Sequence, residues 1–322
     1  ITNCMNAIQW WRWDNLNGYH GILSPTFSPF PGVQELIDDS QIIRDGLGTL
    51  LMHCNMHDDG IAMIYSMPST HIAHFDGNRS YGKSKRDHDL WHKALHDSGV
   101  QFRYVTDRML RLGEFEADKF KVLILPLSFA IGPEEAEVIR EFVRGGGTLL
   151  ADVRPGIYND RCKQLDAGIL DDVFGIERTG KQDAVELDRL AIQGEIEGQP
   201  IELRWGNWFG KDIYPQMKVD PTVTVTTGKA LGQAYPIHYW SGLKHPLCVV
   251  NEFGDGRAIL LNFPVYNAPF QPLLENVLAS AGVTAKIGVR TPAGERITGL
   301  EVTRWQNGES QILALLGTYE GE

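Results

Sequence analysis

The segment that most limits the possible fold is Phe120–Leu125 (Phe-Lys-Val-Leu-Ile-Leu), together with the helix and strand signals C-terminal to it. A strand this apolar needs cover on both faces, which an antiparallel sheet with one wet face does not provide. After it, Pro133-Glu134-Glu135 opens a helix that runs to Val143, with proline in the first turn and acids at the positive helix end. Gly145-Gly146-Gly147 closes that helix and Thr148–Asp152 is the next strand. The same alternation precedes it. Ile61–Ser66 is a strand, Asp87–Asp97 a helix stopped at Gly99, and Val100–Val105 a strand. Strand–helix alternation predicts an α/β fold, with a doubly wound, mostly parallel sheet of flavodoxin-like type and right-handed crossovers.

The flanks read differently. Residues 5–13 form an apolar, aromatic strand, followed by a loop rich in proline and glycine and a helix from Val33 to Cys54. One βα unit cannot bury both faces of its strand, so it belongs to a larger sheet or barrel, expected before Ile1. His57-Asp58-Asp59-Gly60 is a turn. Beyond Gly175 the chain is β-rich, with strands at Ile201–Trp205, Thr222–Thr226, Leu247–Glu252 and Arg257–Asn262, then a helix Phe270–Ala281. Gly254-Asp255-Gly256 and Asn307-Gly308 mark two hairpins. The second hairpin, Glu301–Trp305 with Gln311–Leu316, begins a separate β domain, since a lone hairpin is marginal. The absence of an initiator methionine and the stop just after a strand-like run lead to the expectation that both ends are cut.

Composition excludes several functions. The 322 residues carry a net charge of -11, which repels phosphate backbones and argues against nucleic acid as a partner. Neutral carbohydrate is unaffected by that charge. No run approaches the ~20 apolar residues of a membrane helix. Cys4, Cys54, Cys162 and Cys248 are too widely spaced for a zinc knot or disulfide scaffold, which fits reduced, mostly buried thiols and a cytoplasmic location.

Each chemical candidate has a structural alternative. Gly145-Gly146-Gly147 follows a helix and precedes a strand, the wrong side for a phosphate loop, so it reads as a tight turn. The α/β segment is similar to class I glutamine amidotransferases, whose cysteine nucleophile sits on a strand-to-helix elbow. Here the corresponding turn is Val153-Arg154-Pro155-Gly156, without a nucleophile. Downstream, Tyr235-Pro236-Ile237-His238 lacks the glutamate of the partner motif. His71 and His74 fall in a loop with Asp76 nearby. His88, His92 and His96 share one helix face and are the candidates for zinc or another divalent metal; the alternative, and the expectation, is a flank of half-buried histidines and no metal or other cofactor. The basic stretch from Arg79 to Arg86 either docks an acidic partner or is a solvated loop. Trp11, Arg12, Trp13, Asp14 and His20 crowd the C-terminal end of the first strand, where barrel enzymes build active sites. Trp faces stack on sugars and the polar groups bond hydroxyls. The alternative is aromatic packing that closes a barrel.

The order of parts resembles the C-terminal half of the β-galactosidases of glycoside hydrolase family 42. The stretches that carry this are Phe120–Pro126, Gly146–Leu150, Val249–Ala258 and Leu300–Trp305, in addition to Trp11-Arg12-Trp13 and His20. The resemblance implies three parts. Residues 1–57 would be the last βα unit of the catalytic (β/α)8 barrel, 58–283 an amidotransferase-like trimerisation domain, and 284–322 the start of a C-terminal β domain. It also implies retaining hydrolysis of terminal β-galactosides or related glycosides by two glutamates on barrel strands before Ile1. This chain would then hold no catalytic residue, contribute Trp11, Arg12, Trp13, Asp14 and His20 to substrate binding, and assemble as a homotrimer with no nucleic acid or membrane partner. The loop Asp14–Tyr19 lacks the family's galactose-binding glutamate, which leaves related sugars open. The rival reading is a non-catalytic amidotransferase-like interaction or scaffold domain.

Overall fold

The computed structural model describes residues 22–24, 26–30, 32–75, 84–179, 184–187, 189–206, 217–235, 245–265 and 270–317. These fall into two compact units, one drawn from 22–57 and 300–317, the other from 58–299.

The larger unit is built on a seven-stranded sheet. Its strands are β1 (Ile61–Tyr65), β2 (Phe102–Thr106), β3 (Val122–Leu125), β4 (Thr148–Ala151), β5 (Lys229–Ala230), β6 (Cys248–Phe253) and β7 (Gly256–Leu261). Their order across the sheet is β5-β6-β7-β4-β3-β1-β2. The five strands from β7 to β2 are parallel, while β6 and β5 add antiparallel at the other side. The hairpin expected at Gly254-Asp255 joins β6 to β7. This is an α/β fold on a mixed, mainly parallel sheet.

Side chains alternate between two cores. Ile61, Met63, Val122, Ile124 and Leu150 join one core, and Ala62, Ile64, Leu123, Leu125 and Leu149 the other. Period-two alternation of purely apolar residues is what a sheet covered on both faces requires. The helices α1 (Met67–Phe75), α2 (Ser84–Asp97), α3 (Asp107–Arg111), α4 (Pro133–Arg144), α5 (Asp171–Phe174) and α6 (Gln271–Ser280) supply most of the cover. Trp91 and Leu95 of α2 and Leu273, Leu274 and Val277 of α6 fill the first core. Leu110 of α3, Ile139 and Phe142 of α4, and Val173 and Phe174 of α5 fill the second. A separate four-stranded antiparallel sheet, ordered His245–Pro246, Gly232–Tyr235, Arg189–Ile196 and Gln199–Gly206, adds Ile192, Ile196, Ile201 and Leu203 to the first core.

Helix α4 starts as its sequence dictates. Pro133 occupies the first turn, and the Glu135 carboxylate reaches back to accept from the Gly132 amide at 2.7 Å. At its far end the glycines answer to close packing: a Cβ at Gly147 would strike the Phe142 ring, and one at Gly256 the Val143 carbonyl.

Two expectations change. His71 and His74 lie on helix α1, not in a loop, because Ser66 caps it by accepting from the Ser69 amide. Of the three cysteines among the described residues only Cys248 is buried, while Cys54 and Cys162 are part-exposed, and all three are free thiols; Cys4 lies outside the described residues.

In the smaller unit the helix expected over Val33–Cys54 forms as Val33–Ile42 and Gly48–Met52, joined by a π-turn at Ile43–Leu47. Gly46, with φ of 139°, permits that turn. Ile37, Leu47 and Leu50 remain at least 43% exposed. The hairpin Leu300–Asn307 with Ser310–Gly317 forms, and Asn55–Met56 pairs with its first strand.

Candidate functional site

A parallel sheet binds ligands beyond the C-terminal ends of its strands, where the strand order reverses. That point lies between β1 and β3. It is closed here. Ser69 Oγ donates to the Ala130 carbonyl at 3.2 Å and accepts from the Ala130 amide at 3.0 Å, tying α1 to the segment after β3. A cavity of about 10 Å³ remains, bounded by Ser66, Asp107, Ser128 and Glu135 among others. That is room for one water at most.

The elbow after β4 is where an amidotransferase places its nucleophile. Arg154 occupies it in a left-handed conformation, φ 61°. A non-glycine residue in that region costs about 1–3 kcal/mol, so the surroundings must hold it there. They do so with charge. Arg154 Nε lies 3.1 Å from Asp220 Oδ2, and the two side chains are 8% and 0% exposed. Asp220 Oδ1 accepts from the Thr222 amide at 2.9 Å and from its hydroxyl at 2.7 Å. The Asn262 side chain brackets the Asp220 backbone on both its N–H and its C=O. The residue at this turn is thus one end of a buried ion pair.

No helix follows the elbow directly. Residues 152–170 form an irregular loop held by Gly156 N–H to Ser128 O at 2.9 Å and Tyr158 N–H to Phe129 O at 2.8 Å. Arg178 closes it. Its Nε sits 2.6 Å from Asp171 Oδ1, and its Nη2 donates to the Pro155 carbonyl.

Asp152, immediately before the elbow, is fully buried. Its Oδ1 accepts from the Leu127 amide at 2.6 Å, and its Oδ2 from Trp91 Nε1 at 3.1 Å. Burial is the dominant influence and pushes its carboxyl up to about 7, although these donors favour the charged form. Glu135 is raised in the same direction by burial, against the Gly132 amide and the Arg111 guanidinium 2.7 Å away. Neither carboxyl faces a space that admits a substrate.

The amides of the glycine run after α4 are already committed within the chain. The amides of Gly145, Gly146 and Gly147 donate to the carbonyls of Glu141, Val143 and Phe142. His88, His92 and His96 do lie on one helix, α2, but separate by environment. His88 is 8% exposed, its ring between Tyr65 and Tyr104, and burial lowers its pKa. His92 and His96 are part-exposed, with ring centroids 4.4 Å apart. Trp11, Arg12, Trp13, Asp14 and His20 lie outside the described residues, as do Asp76, Arg79–Lys83 and His238.

Sequence reasoning overlooked Asp152 and the Arg154–Asp220 pair. For Asp152 a signal existed: an acid ending an otherwise apolar strand must find donors inside. For Asp220 there was none, since it meets Arg154 only in the folded chain.

Comparison with known proteins agrees with this geometry. The family profile described as "Beta-galactosidase trimerisation domain" matches residues 59–284, more than half of the chain. β-Galactosidase BbgII of Bifidobacterium bifidum is 24% identical over 267 residues, covering 78% of this chain and 36% of that protein. β-Galactosidase Pbg of Clostridium perfringens is 28% identical over 148 residues, 45% of this chain and 20% of that protein. Among solved structures, β-galactosidase from Bacillus circulans sp. alkalophilus superposes with a TM-score of 0.67 at 19% identity, over 94% of this chain and 42% of that one. The enzyme from Rahnella sp. R3 gives 0.65 at 16% identity, over 94% and 43%. The chain therefore spans about a third of the length of BbgII and a fifth of that of Pbg. Sheet order, sealed elbow and the match across 59–284 converge, and the chain belongs to the β-galactosidase trimerisation-domain family of glycoside hydrolase family 42.

Proposed function

We propose that this chain is the C-terminal part of a retaining glycoside hydrolase that acts on terminal β-galactosides or related glycosides. In this reading residues 58–283 hold subunits together as a homotrimer, on a flavodoxin-like sheet of class I amidotransferase ancestry. Residues 1–57 complete a (β/α)8 barrel and 284–322 open a β domain. The observation that carries the reading is the elbow: where a catalytic relative of this fold needs a nucleophile beside a cleft, this chain has the Arg154–Asp220 ion pair, its two side chains 8% and 0% exposed. Such a domain serves by its surface. The exposed Ile37, Leu47 and Leu50 on the helical stretch Val33–Met52 support a larger apolar body covering them.

The reading assigns the two catalytic glutamates to barrel strands outside these 322 residues. Retention needs two carboxyls ~5–5.5 Å apart across the scissile bond. It gives Trp11, Arg12, Trp13, Asp14 and His20 the lesser role of walling the sugar pocket. Nucleic acid and membranes have no part in it. Among the described residues no helix is long and apolar enough to cross a membrane. A cytoplasmic setting suits the three described cysteines, none of which is in a disulfide.

The test is hydrolysis of an aryl β-galactoside. A protein extended upstream to include the whole barrel turns it over with retention, and this chain alone does not. Robust turnover by the purified chain would overturn the assignment of both glutamates.

A further inference from the structure

The assembly reading leaves the histidine face of α2 without a role. His92 and His96 are four residues apart, so one helical turn sets them on the same face. Their ring centroids lie 4.4 Å apart, and each offers a ring nitrogen within 4.8 Å of the other's. Both are part-exposed, so a hydrated ion can reach them. The rings are also held in place. Phe102, on the edge strand β2, stands edge-on to both, at 5.3 and 5.6 Å. The Tyr104 hydroxyl lies 3.3 Å from His92 Nδ1.

That last contact matters for ligation. In the tautomer where Nδ1–H donates to the Tyr104 oxygen, the proton sits on Nδ1 and the Nε2 lone pair is the ligand. An outer hydrogen bond of this kind is the usual companion of a metal-binding histidine. The Tyr104 hydroxyl is thus the orienting partner of the His92 ring.

We propose that His92 and His96 form a binding site for a divalent transition metal, held by two imidazole nitrogens with water completing its coordination. Imidazole suits Cu²⁺, Ni²⁺ and Zn²⁺, whereas Mg²⁺ and Ca²⁺ require oxygen. Ligand distances of ~2.0–2.1 Å are reached from the present spacing by small rotations of the two side chains. His88 is not part of the site: its ring is buried between Tyr65 and Tyr104. The order of affinity is Cu²⁺ above Zn²⁺, and binding weakens as the imidazoles protonate.

The experiment is calorimetric titration of Cu²⁺ and Zn²⁺ into the chelator-treated chain, with electron paramagnetic resonance of the Cu²⁺-loaded protein. The expected result is one ion per chain, a spectrum of two nitrogen ligands, and at least tenfold weaker binding in His92→Asn and in His96→Asn. Tyr104→Phe weakens binding roughly 10–100-fold, the usual effect of an outer-shell loss. His71→Asn on α1 leaves it unchanged. Absence of saturable binding, or binding that survives both α2 substitutions, overturns the site. The resonance spectrum needs no variant, so a Cu²⁺ complex without nitrogen coupling overturns it even if a substituted chain fails to fold.

Discussion

Asp152 makes the stability of the α/β unit depend on pH, in the direction opposite to an ordinary paired carboxylate. Its folded pKa is about 7, against 3.8 for the free side chain, with burial as the first cause. Because the folded value is the higher one, the folded state keeps a proton that the unfolded state has lost between those limits. Stability therefore falls as pH rises from about 4 to about 7, and then levels off. Integrating the linkage relation with these two values gives roughly 2–3 kcal/mol lost between pH 5 and pH 8 through this one residue. Asp152→Asn removes the ionisation but keeps the shape. Urea unfolding of both proteins at pH 5, 6, 7 and 8, followed by far-ultraviolet circular dichroism, isolates the contribution. The stability of the natural chain relative to the variant should rise by that amount on going from pH 8 to pH 5. Trp91→Phe sharpens the test. It removes the donor to Oδ2, which favours the charged form, so its cost should be larger at pH 8 than at pH 5. A relative stability of Asp152→Asn that stays flat within ~0.5 kcal/mol across the range would mean that the carboxyl is either solvated or matched by a cation, and that burial does not raise its folded pKa.

Three further outcomes are expected. Arg154→Met should cost about 3–5 kcal/mol in urea unfolding, because it leaves Asp220 charged and buried; adding Asp220→Leu should recover most of it. Arg154→Cys, which places a thiol at the elbow, should show no glutaminase activity in an ammonia-release assay, since the side chain at this position is only 8% exposed and out of reach of an amide substrate. Gly256→Ala should destabilise by more than the ~1 kcal/mol typical of an ordinary substitution, measured as a lower melting temperature, because its Cβ meets the Val143 carbonyl.

Much of the fold was legible because its signals are local. The fully apolar run at β3, the proline start of α4 and the Gly-Asp-Gly hairpin each state their geometry within a few residues, and each formed where the sequence places it. Boundaries moved by a residue or two: β2 begins at Phe102 rather than Val100, since the Val100 amide bonds back to the Leu95 carbonyl and the Gln101 backbone pairs with Asp59. Several shorter elements escaped notice, and two show why. Helix α3 is five residues long, too short to show a period, and is fixed by its Thr106 cap. The strand Arg189–Ile196 carries charge and glycine that hide its alternation, and only its pairing with Gln199–Gly206 reveals it. At the candidate site, the missing nucleophile could be read from the residues of the elbow. The reason the elbow can do without one, an ion pair to a residue 66 positions on, depends on tertiary contact that no local pattern encodes.

In the proposed function, the domain with the sealed elbow assembles subunits. Sedimentation equilibrium on the purified chain tests it most directly. The expected mass is about 108 kDa, three copies of the 36.0 kDa chain. A single species at 36.0 kDa across the accessible concentration range would contradict it.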